Sequence, residues 1–323
     1  MNEIDVAIIG AGPTGLYAAY YAGFRGLTTA VIDALPEPGG QITAMYPEKL
    51  IFDVAGFPAI RGRELVANLV AQADGFAPAY KLGTQARGLT YEDGLPVLEL
   101  VDGTAYRCGA VLVTGGLGSF KPRPLPAADV FTGEGIIYFV PHLDDLAGRD
   151  VVIVGGGDSA FDWALALADL ASSVTLVHRR DKFRAHAATV DRVRALPVDI
   201  RVNAQVTKII GNGTVSAVEI SDPSGVDVRP ADVVVAALGF TADLGPLAEW
   251  GMKLDRRHIV VDSTMATNLP RVFAAGDIVE YPGKVRLIAT GFGEAATAVN
   301  NAAVIINPDA HLFPGHSSGG SAD

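Results

Sequence analysis

The feature that most constrains the fold is an apolar strand that runs straight into a glycine-rich turn and a helix. Residues 6–9 read Val-Ala-Ile-Ile, and Gly10, Gly12 and Gly15 follow directly. A continuous apolar run of this length is typical of a parallel strand covered on both faces. A helical segment, LYAAYYAGF, comes next, and a second apolar run then ends at Asp33.

This order of strand, glycine turn, helix and strand predicts a dinucleotide cradle. The glycines let the backbone turn tightly and approach a pyrophosphate, which sits against the unpaired N–H groups at the start of the helix. Asp33 would accept hydrogen bonds from the hydroxyls of a ribose. The alternative is a glycine-rich turn in an ordinary parallel sheet, but the acid at the end of the second strand favours the cradle.

The same order occurs a second time, in the stretch RDVVIVGGGDSAFDWALALADLASSVTLVHRR. Gly155, Gly157 and Ala160 stand in the three glycine positions. In the first copy the acid lies 18 residues after the third glycine; 18 residues after Ala160 comes His178, with Arg179 and Arg180 directly behind it.

Cations where the first copy has a carboxylate predict a different nucleotide. A carboxylate would repel a ribose 2′-phosphate, whereas guanidinium groups can bind it with charge-assisted, bidentate hydrogen bonds. Lys182 and Arg184 extend the basic cluster. We therefore expect NADP rather than NAD in the second cradle; the alternative is a solvated basic strand end.

The chain of 323 residues is long enough for two domains of ordinary size. Paired strand and glycine exits near residues 115 and 239 lie on either side of the second copy, which suggests that one domain is inserted into the other. The segment TMATNLPRVFAAGDI predicts a short strand ending at Gly276 and Asp277, where the chain returns to the first nucleotide. We expect an α/β protein with two Rossmann-like domains: residues 1–117 and 244–323 in the first, residues 118–243 in the second.

Composition excludes several classes of protein. Cys108 is the one cysteine, so the chain has no internal disulfide framework, dithiol pair or cysteine metal cluster. The six histidines show no metal-ligand spacing, and the net charge of −11 argues against nonspecific nucleic-acid binding. No apolar run is long enough to span a bilayer, and the first residues lack the basic flank of a signal peptide, so we expect a cytoplasmic protein.

The whole chain resembles the flavoprotein reductases that have two dinucleotide sites, with FAD in the split domain and NADPH in the inserted one. GGGDSA followed by HRRDKFRAH is similar to thioredoxin reductase, but the stretch that would hold the active dithiol, EGIIYFVPHLDDLAGRD, has no cysteine. GGQITAMYPEKLIFDVAGFPAIRG and KVRLIATGFGEAATAVNNAAVIINPDA are similar to the thioredoxin-reductase-like ferredoxin (or flavodoxin) NADP reductases. This resemblance implies a homodimer in which NADPH reduces FAD, and the flavin then passes single electrons to ferredoxin or flavodoxin.

The resemblance also implies roles for individual residues. Asp33 would bind the adenosine ribose, Gln41 the flavin or its chain, and Asp277 the ribityl chain. Ala86 would contact the adenine through its backbone. Thr14, where bacillithiol-disulfide reductases carry a cysteine, is included in the first cradle, and Asp158 and Ser159 in the second.

Aromatic residues and the C-terminal segment would surround the flavin. The resemblance implies that Tyr46 stacks on one face of the isoalloxazine ring and that Phe120 lies near it; the alternatives are a turn aromatic beside Pro47 and a core phenylalanine. In PGHSSGGSAD, His316 and Ser318 would cover the other face, although by composition the segment could be a mobile tail.

Two other functions stay open at this point: a disulfide reductase that recruits external thiols, and a nonreductive FAD- or NADPH-binding module. Cys108 is expected to be a buried packing residue. If ferredoxin is the partner, local cations must attract it to an acidic chain. The candidates for this docking surface are Lys49, Arg61, Arg63, Lys121 and Arg123.

Overall fold

The computed structural model describes residues 1–316, apart from the side chain of Phe120. The strands begin with β1 (Asn2–Ile9), β2 (Thr29–Asp33), β3 (Leu50–Ile51), β4 (Ile60–Arg61), β5 (Ala79–Leu82), β6 (Ala86–Glu92), β7 (Leu95–Leu100), β8 (Ala105–Val113), β9 (Ser119–Pro122), β10 (Ile136–Ile137) and β11 (Asp150–Val154). They continue with β12 (Ser173–His178), β13 (Val198–Val202), β14 (Gln205–Gly211), β15 (Val215–Asp222), β16 (Gly225–Pro230), β17 (Val233–Ala236), β18 (Phe240–Asp243), β19 (Leu254–Asp255), β20 (His258–Val260), β21 (Val272–Ala274) and β22 (Val279–Glu280). The α-helices are α1 (Pro13–Phe24), α2 (Gln41–Met45), α3 (Gly62–Asp74), α4 (Asp158–Leu167), α5 (Ala187–Arg194) and α6 (Ile288–Ile306).

The chain divides into two compact units, and each has its own core. The first unit contains Met1–Ala44, Leu50–Ser119 and the chain from Ala242 onward. The second contains Phe120–Thr241 together with Met45–Lys49, a short segment that we place in the first domain from the sequence. The chain passes between the units through β9 and β18, which pair as a two-stranded ribbon.

The first unit is built on a sheet in the order β5-β2-β1-β8-β7-β6, with β21 paired to β8. β1 pairs in parallel with β2 and β8, while β6, β7 and β8 form an antiparallel extension. The apolar runs of β1, β2 and β8 are almost fully buried because α1 and α6 pack beside each other on this sheet region. α1 buries small residues, among them Ala18, Ala19 and Ala22, so that helix and sheet approach closely.

The second unit repeats this plan on a smaller scale. Its parallel sheet has the order β10-β17-β11-β12-β13, and α4 follows β11 as α1 follows β1. Trp163 and Phe161 on α4 are buried against the sheet. A separate antiparallel sheet of β14, β15 and β16 packs against the parallel sheet. Val218 and Ile220 are among the residues that form the shared core.

These observations confirm the predicted fold class, an α/β protein with two Rossmann-like units. Each unit has a strand, a glycine turn and a helix among the parallel strands of its main sheet. In such sheets ligands bind outside the carboxyl ends of the strands, so the glycine turns mark where each site lies. In the described part of the chain, no helix has both the length and the apolar character needed to cross a membrane.

Candidate functional site

The glycines of the first turn bring α1 against the end of β1. Gly10 has a φ of +111°, and a Cβ at this position would lie 2.5 Å from the carbonyl oxygen of Thr114, which follows β8. A Cβ on Gly15 would overlap the carbonyl oxygen of Gly10. Gly12, the N-cap of α1, has open space where its Cβ would stand. The first and third glycines are therefore needed for packing, and the second leaves room for a ligand.

A second glycine turn, in the GGQ segment, lies on the same edge of the sheet. The Gly39 amide donates a 2.8 Å hydrogen bond to the Ala11 carbonyl, and a Cβ on Gly40 would lie 3.0 Å from the Gly12 Cα. Gln41 begins α2, and its amide nitrogen lies beside Gly116 in the exit from β8. The structure therefore brings Gln41 to the edge where the first cradle opens.

Asp33 is held at the end of β2 by two backbone donors. Its Oδ2 accepts a hydrogen bond from the Ala11 amide at 2.6 Å, and its Oδ1 accepts one from the Leu35 amide at 2.8 Å. Burial raises the pKa of Asp33, and these backbone hydrogen bonds oppose that rise. An ionised carboxylate has about four acceptor positions, so both oxygens keep capacity for ribose hydroxyls.

Thr14 lies in the first cradle, and Asp277 lies where the chain returns to this cradle after β21. Gly276 follows β21 with a φ of +86°, and a Cβ there would lie 2.9 Å from Thr14 Oγ1. Thr14 also packs against Gly291 of α6. Burial raises the pKa of the half-buried Asp277, while Lys284 and Arg286 oppose that rise. Thr14 thus contacts both the Gly276–Asp277 turn and α6.

These residues fit a dinucleotide. The open position at Gly12 faces the start of α1, where helix N–H groups have no intrahelical partner and favour an anion. Gln41, Asp33 and Asp277 supply polar atoms around that point. Ala86 is buried at the start of β6, and its backbone contact with an adenine stays a prediction.

Two aromatic residues are placed differently from each other. Tyr46 belongs to the segment 45–49 and is half-buried against the core of the second unit that contains Phe161. Its stacking on the flavin stays a prediction. The backbone of Phe120 lies in β9, and its side chain is outside the described residues.

The second cradle has the same geometry as the first. A Cβ on Gly155 would overlap the carbonyl oxygen of Ala237, which follows β17, just as Gly10 meets the residue after β8. Gly157 is the N-cap of α4 and has open space where a Cβ would stand. Asp158 and Ser159 are exposed at the first turn of α4. Asp158 Oδ1 accepts a 2.9 Å hydrogen bond from the His186 amide, so it orders the basic loop after β12.

The cations of the second cradle lie on one exposed loop. Arg179, Arg180 and Arg184 are exposed, and the described residues provide no ion pair for them. His178 packs against Gly156, and its Nε2 lies 3.2 Å from the Lys182 carbonyl oxygen. Burial lowers the pKa of His178. Exposed guanidinium groups next to a helix start fit a phosphate, and a contact of His178 with the nucleotide stays a prediction.

The C-terminal segment is fixed to the first unit before it reaches the residues predicted to cover the flavin. The Arg25 guanidinium donates hydrogen bonds to the carbonyl oxygens of His311 (2.8 Å) and Leu312 (3.1 Å). His316 is exposed, and its ring lies edge-on to Phe313 at 5.2 Å. Ser318 lies outside the described residues. The roles of His316 and Ser318 over the flavin therefore stay predictions.

The structure also shows a charged cluster that the sequence analysis missed. Glu294 is 5% exposed within α6 and bonds to the Gly276 amide, the Tyr281 hydroxyl and the Lys284 ammonium. The signal was present, because Glu294 is the one charged residue in the apolar run of α6. Its partners, however, come from the turn after β21 and the loop after β22. No periodic sequence pattern links these segments to the helix.

The lone cysteine offers no redox chemistry at this site. Cys108 is completely buried in β8, and burial raises the pKa of its thiol to about 12. A thiol with this pKa is protonated near neutral pH and is a poor nucleophile. In residues 1–316, no group of three or more histidine, cysteine, aspartate and glutamate side chains could hold a metal ion.

Comparisons with known proteins agree on one family. The profile of the pyridine nucleotide-disulphide oxidoreductases matches residues 4–302. A protein named ferredoxin–NADP reductase from Salinispora arenicola is 75% identical over 99% of this chain and 100% of its own length. One of the same name from Thermus thermophilus is 45% identical over 98% of this chain and 97% of its own.

Solved structures give the same picture for the fold. Thioredoxin reductase from T. acidophilum is 29% identical, with a TM-score of 0.77 over 94% of this chain and 98% of its own. A bacillithiol disulfide reductase from Staphylococcus aureus has a TM-score of 0.72 over 93% of this chain and 98% of its own. At 18% identity, the second similarity concerns the fold alone.

Two of the three glycines of the first cradle, Gly12 and Gly15, give a matched test. Gly15→Ala should destabilise the protein by about 1–3 kcal/mol or more, because its Cβ has no room beside Gly10. Gly12→Ala should change stability by less than about 0.5 kcal/mol, because its Cβ meets open space. Gly12→Ala should nevertheless lose bound FAD, since the Cβ enters the space for the pyrophosphate. Urea unfolding and flavin content measure the two effects; a Gly12→Ala protein with full FAD would contradict this assignment.

Proposed function

Since the chain belongs to the pyridine nucleotide-disulphide oxidoreductase family and groups with its ferredoxin–NADP reductases over its full length, we propose that it transfers electrons from NADPH through FAD to ferredoxin. It is a flavoprotein oxidoreductase that uses FAD and NADPH. The observation that carries the reaction is the pairing of two cradles with opposite charge at the ribose end. One ends in the carboxylate of Asp33, and the other in the exposed guanidinium groups of Arg179 and Arg180.

The opposite charges at the two ribose ends support a different nucleotide in each cradle. The Asp33 carboxylate is suited to a ribose with free hydroxyls and would repel a 2′-phosphate. Arg179, Arg180 and Arg184 are suited to the 2′-phosphate of NADPH. We infer that the first unit holds FAD and the second NADPH.

The bound flavin supplies the redox chemistry, since it can accept a hydride and release electrons singly. The protein residues then bind and orient. We propose that Gln41 contacts the flavin or its chain, that Thr14 packs the cradle, and that Asp277 bonds the ribityl chain. No side chain has to move a proton to or from a substrate in this reaction.

A disulfide reductase is not favoured. Cysteine pairs carry out disulfide exchange through a thiolate, and this chain has a single cysteine. That residue, Cys108, is buried with a pKa raised to about 12. One-electron delivery to a protein carrier needs no cysteine, so it is consistent with this composition.

We propose flavodoxin as an alternative carrier, a homodimer as the assembly and the cytoplasm as the location. Flavodoxin and ferredoxin are both one-electron acceptors, and the flavin chemistry serves either. The covering of the flavin by Tyr46, Phe120, His316 and Ser318 is proposed on the same resemblance. None of these proposals changes the NADPH-to-FAD step.

The first test is the anaerobic reduction of cytochrome c by the purified protein with NADPH, with and without ferredoxin. We expect NADPH to bleach the flavin and ferredoxin to raise the rate strongly, because ferredoxin carries the single electrons. Flavin bleaching with equal rates in both arms would contradict ferredoxin as the acceptor, and flavodoxin would then be tested in its place. A protein that carries FAD but is not bleached by NADPH would be a nonreductive binding module.

The basic loop of the second cradle gives a second prediction. Arg179→Ala with Arg180→Ala should weaken NADPH binding by about 2–4 kcal/mol, roughly 30- to 1,000-fold, and leave NADH binding unchanged. The reason is the loss of charge-assisted hydrogen bonds to the 2′-phosphate. KM values for both nucleotides measure this effect. Arg192→Ala, an exposed cation on α5 of the same unit, is the control and should change neither; an unchanged NADPH preference in the double variant would disprove the assignment.

Lys121 and Arg123, two of the five candidate docking cations, are suited to a charge-reversal test. Lys121 and Arg123 are exposed on and after β9, whereas Lys49 is paired with Asp162 at 2.5 Å. Reversing both to Glu should weaken ferredoxin reduction at low salt and spare NADPH oxidation by a small dye, since the dye needs no docking surface.

The matched control reverses Lys208 and Arg192, exposed cations elsewhere in the second unit, with the same change of charge. It should leave ferredoxin reduction at the wild-type rate. Equal loss of ferredoxin and dye activity in the Lys121 and Arg123 variant, or equal effects of both variants on ferredoxin, would rule out a local docking role.

A further inference from the structure

The buried charge in α6 is connected directly to the turn that follows β21. Glu294 Oε2 accepts a 2.7 Å hydrogen bond from the Gly276 amide. Glu294 Oε1 accepts hydrogen bonds from the Tyr281 hydroxyl at 2.6 Å and the Lys284 ammonium at 2.5 Å. The carboxylate thus joins three points of the chain: α6, the Gly276 turn and the loop after β22.

The two charged side chains of the cluster are buried, and Tyr281 is half-buried beside them. The Lys284 side chain is completely buried and lies 5.6 Å from the Tyr281 ring. Burial and the neighbouring Glu294 raise the pKa of Tyr281 to about 12, so its hydroxyl remains a donor. Buried ion pairs offset their loss of hydration only when every partner is hydrogen-bonded. An apolar residue would therefore serve packing at least as well, which points to a role beyond general stability.

That role concerns the geometry of the turn. Gly276 has a φ of +86°, a conformation reached with little cost only by glycine, and its amide is held by Glu294. Thr14 packs against the other side of Gly276 and against Gly291 of α6. Asp277 is the next residue, so the direction of its carboxylate depends on how the Gly276 peptide is fixed.

We propose that Glu294 and Lys284 are positioning residues that fix the Gly276–Asp277 turn so that the Asp277 carboxylate points at the ribityl chain of FAD. This rests on the proposed function, in which Asp277 contacts that chain. Glu294 supplies the hydrogen bond to the turn, and Lys284 holds Glu294 in place. Lys284 also favours the charged form of Asp277, because its positive charge lowers the Asp277 pKa against the rise that burial causes.

The test measures FAD binding to apoprotein by flavin fluorescence, with Asp277→Ala, Glu294→Gln and Lys284→Met compared with wild type. The circular dichroism of each apoprotein shows whether it is folded at the temperature used. We expect each variant to weaken FAD binding by at least tenfold, because the turn or its carboxylate is lost. At saturating FAD, the visible circular dichroism of the flavin should also differ from wild type in Glu294→Gln, whereas a merely structural role would leave it unchanged.

Two double variants make the inference falsifiable even if one substitution unfolds the protein. In the Asp277→Ala background, Glu294→Gln should change FAD affinity by less than about twofold, because it acts through Asp277. Lys284→Met with Glu294→Gln should bind FAD better than Lys284→Met alone, since no carboxylate is left unpaired. Independent, multiplicative effects of Asp277→Ala and Glu294→Gln would overturn the inference.

The remaining outcomes separate this inference from the proposed function. Wild-type protein that does not bind FAD would overturn both. Weakened binding in Asp277→Ala with binding within twofold of wild type in folded Glu294→Gln and Lys284→Met would leave the proposed function standing and overturn the positioning role. Unchanged binding in Asp277→Ala with weakened binding in Glu294→Gln would likewise overturn it, because the effect would not pass through Asp277.

Discussion

The first unit depends on a close approach of α1 to the end of β1, which is possible because residue 15 is a glycine. At Gly15 the first turn of α1 lies against the Gly10 carbonyl, with no room for a Cβ between them. This contact places the start of the helix directly above the end of β1, where its free N–H groups face the ligand edge. A Cβ at residue 15 would force the helix away from the Gly10 carbonyl and so away from this edge.

In the second unit an alanine, not a glycine, occupies the position at which the helix approaches the strand. Ala160 stands where the first unit has Gly15, and it is fully buried against the position of Gly155. The backbone geometry of the two turns is thus nearly the same, while their electrostatics are opposite. In the function proposed above, each glycine turn binds a pyrophosphate, and the residues after the second strand decide which ribose the unit accepts.

Much of this arrangement could be predicted because the determining residues are local in sequence. The fold class follows from strand, turn and helix patterns within about 30 residues. The network at Glu294 could not be predicted, because its partners Gly276 and Lys284 come from a turn and a loop with no periodic pattern. The segment 45–49 groups with the second unit through contacts such as Lys49 with Asp162, more than a hundred residues apart, and no local pattern encodes such a pair.

The ribbon of β9 and β18 has a consequence for how the chain can be rearranged. The strands lie side by side, with the Arg123 amide bonded to the Gly239 carbonyl at 2.9 Å, so the second unit begins and ends at neighbouring points. A unit whose two ends are adjacent can be removed, or exchanged for another, while a short turn closes the gap. We therefore expect the second unit, which we propose binds NADPH, to be exchangeable for a domain of different coenzyme preference while the first unit keeps its fold.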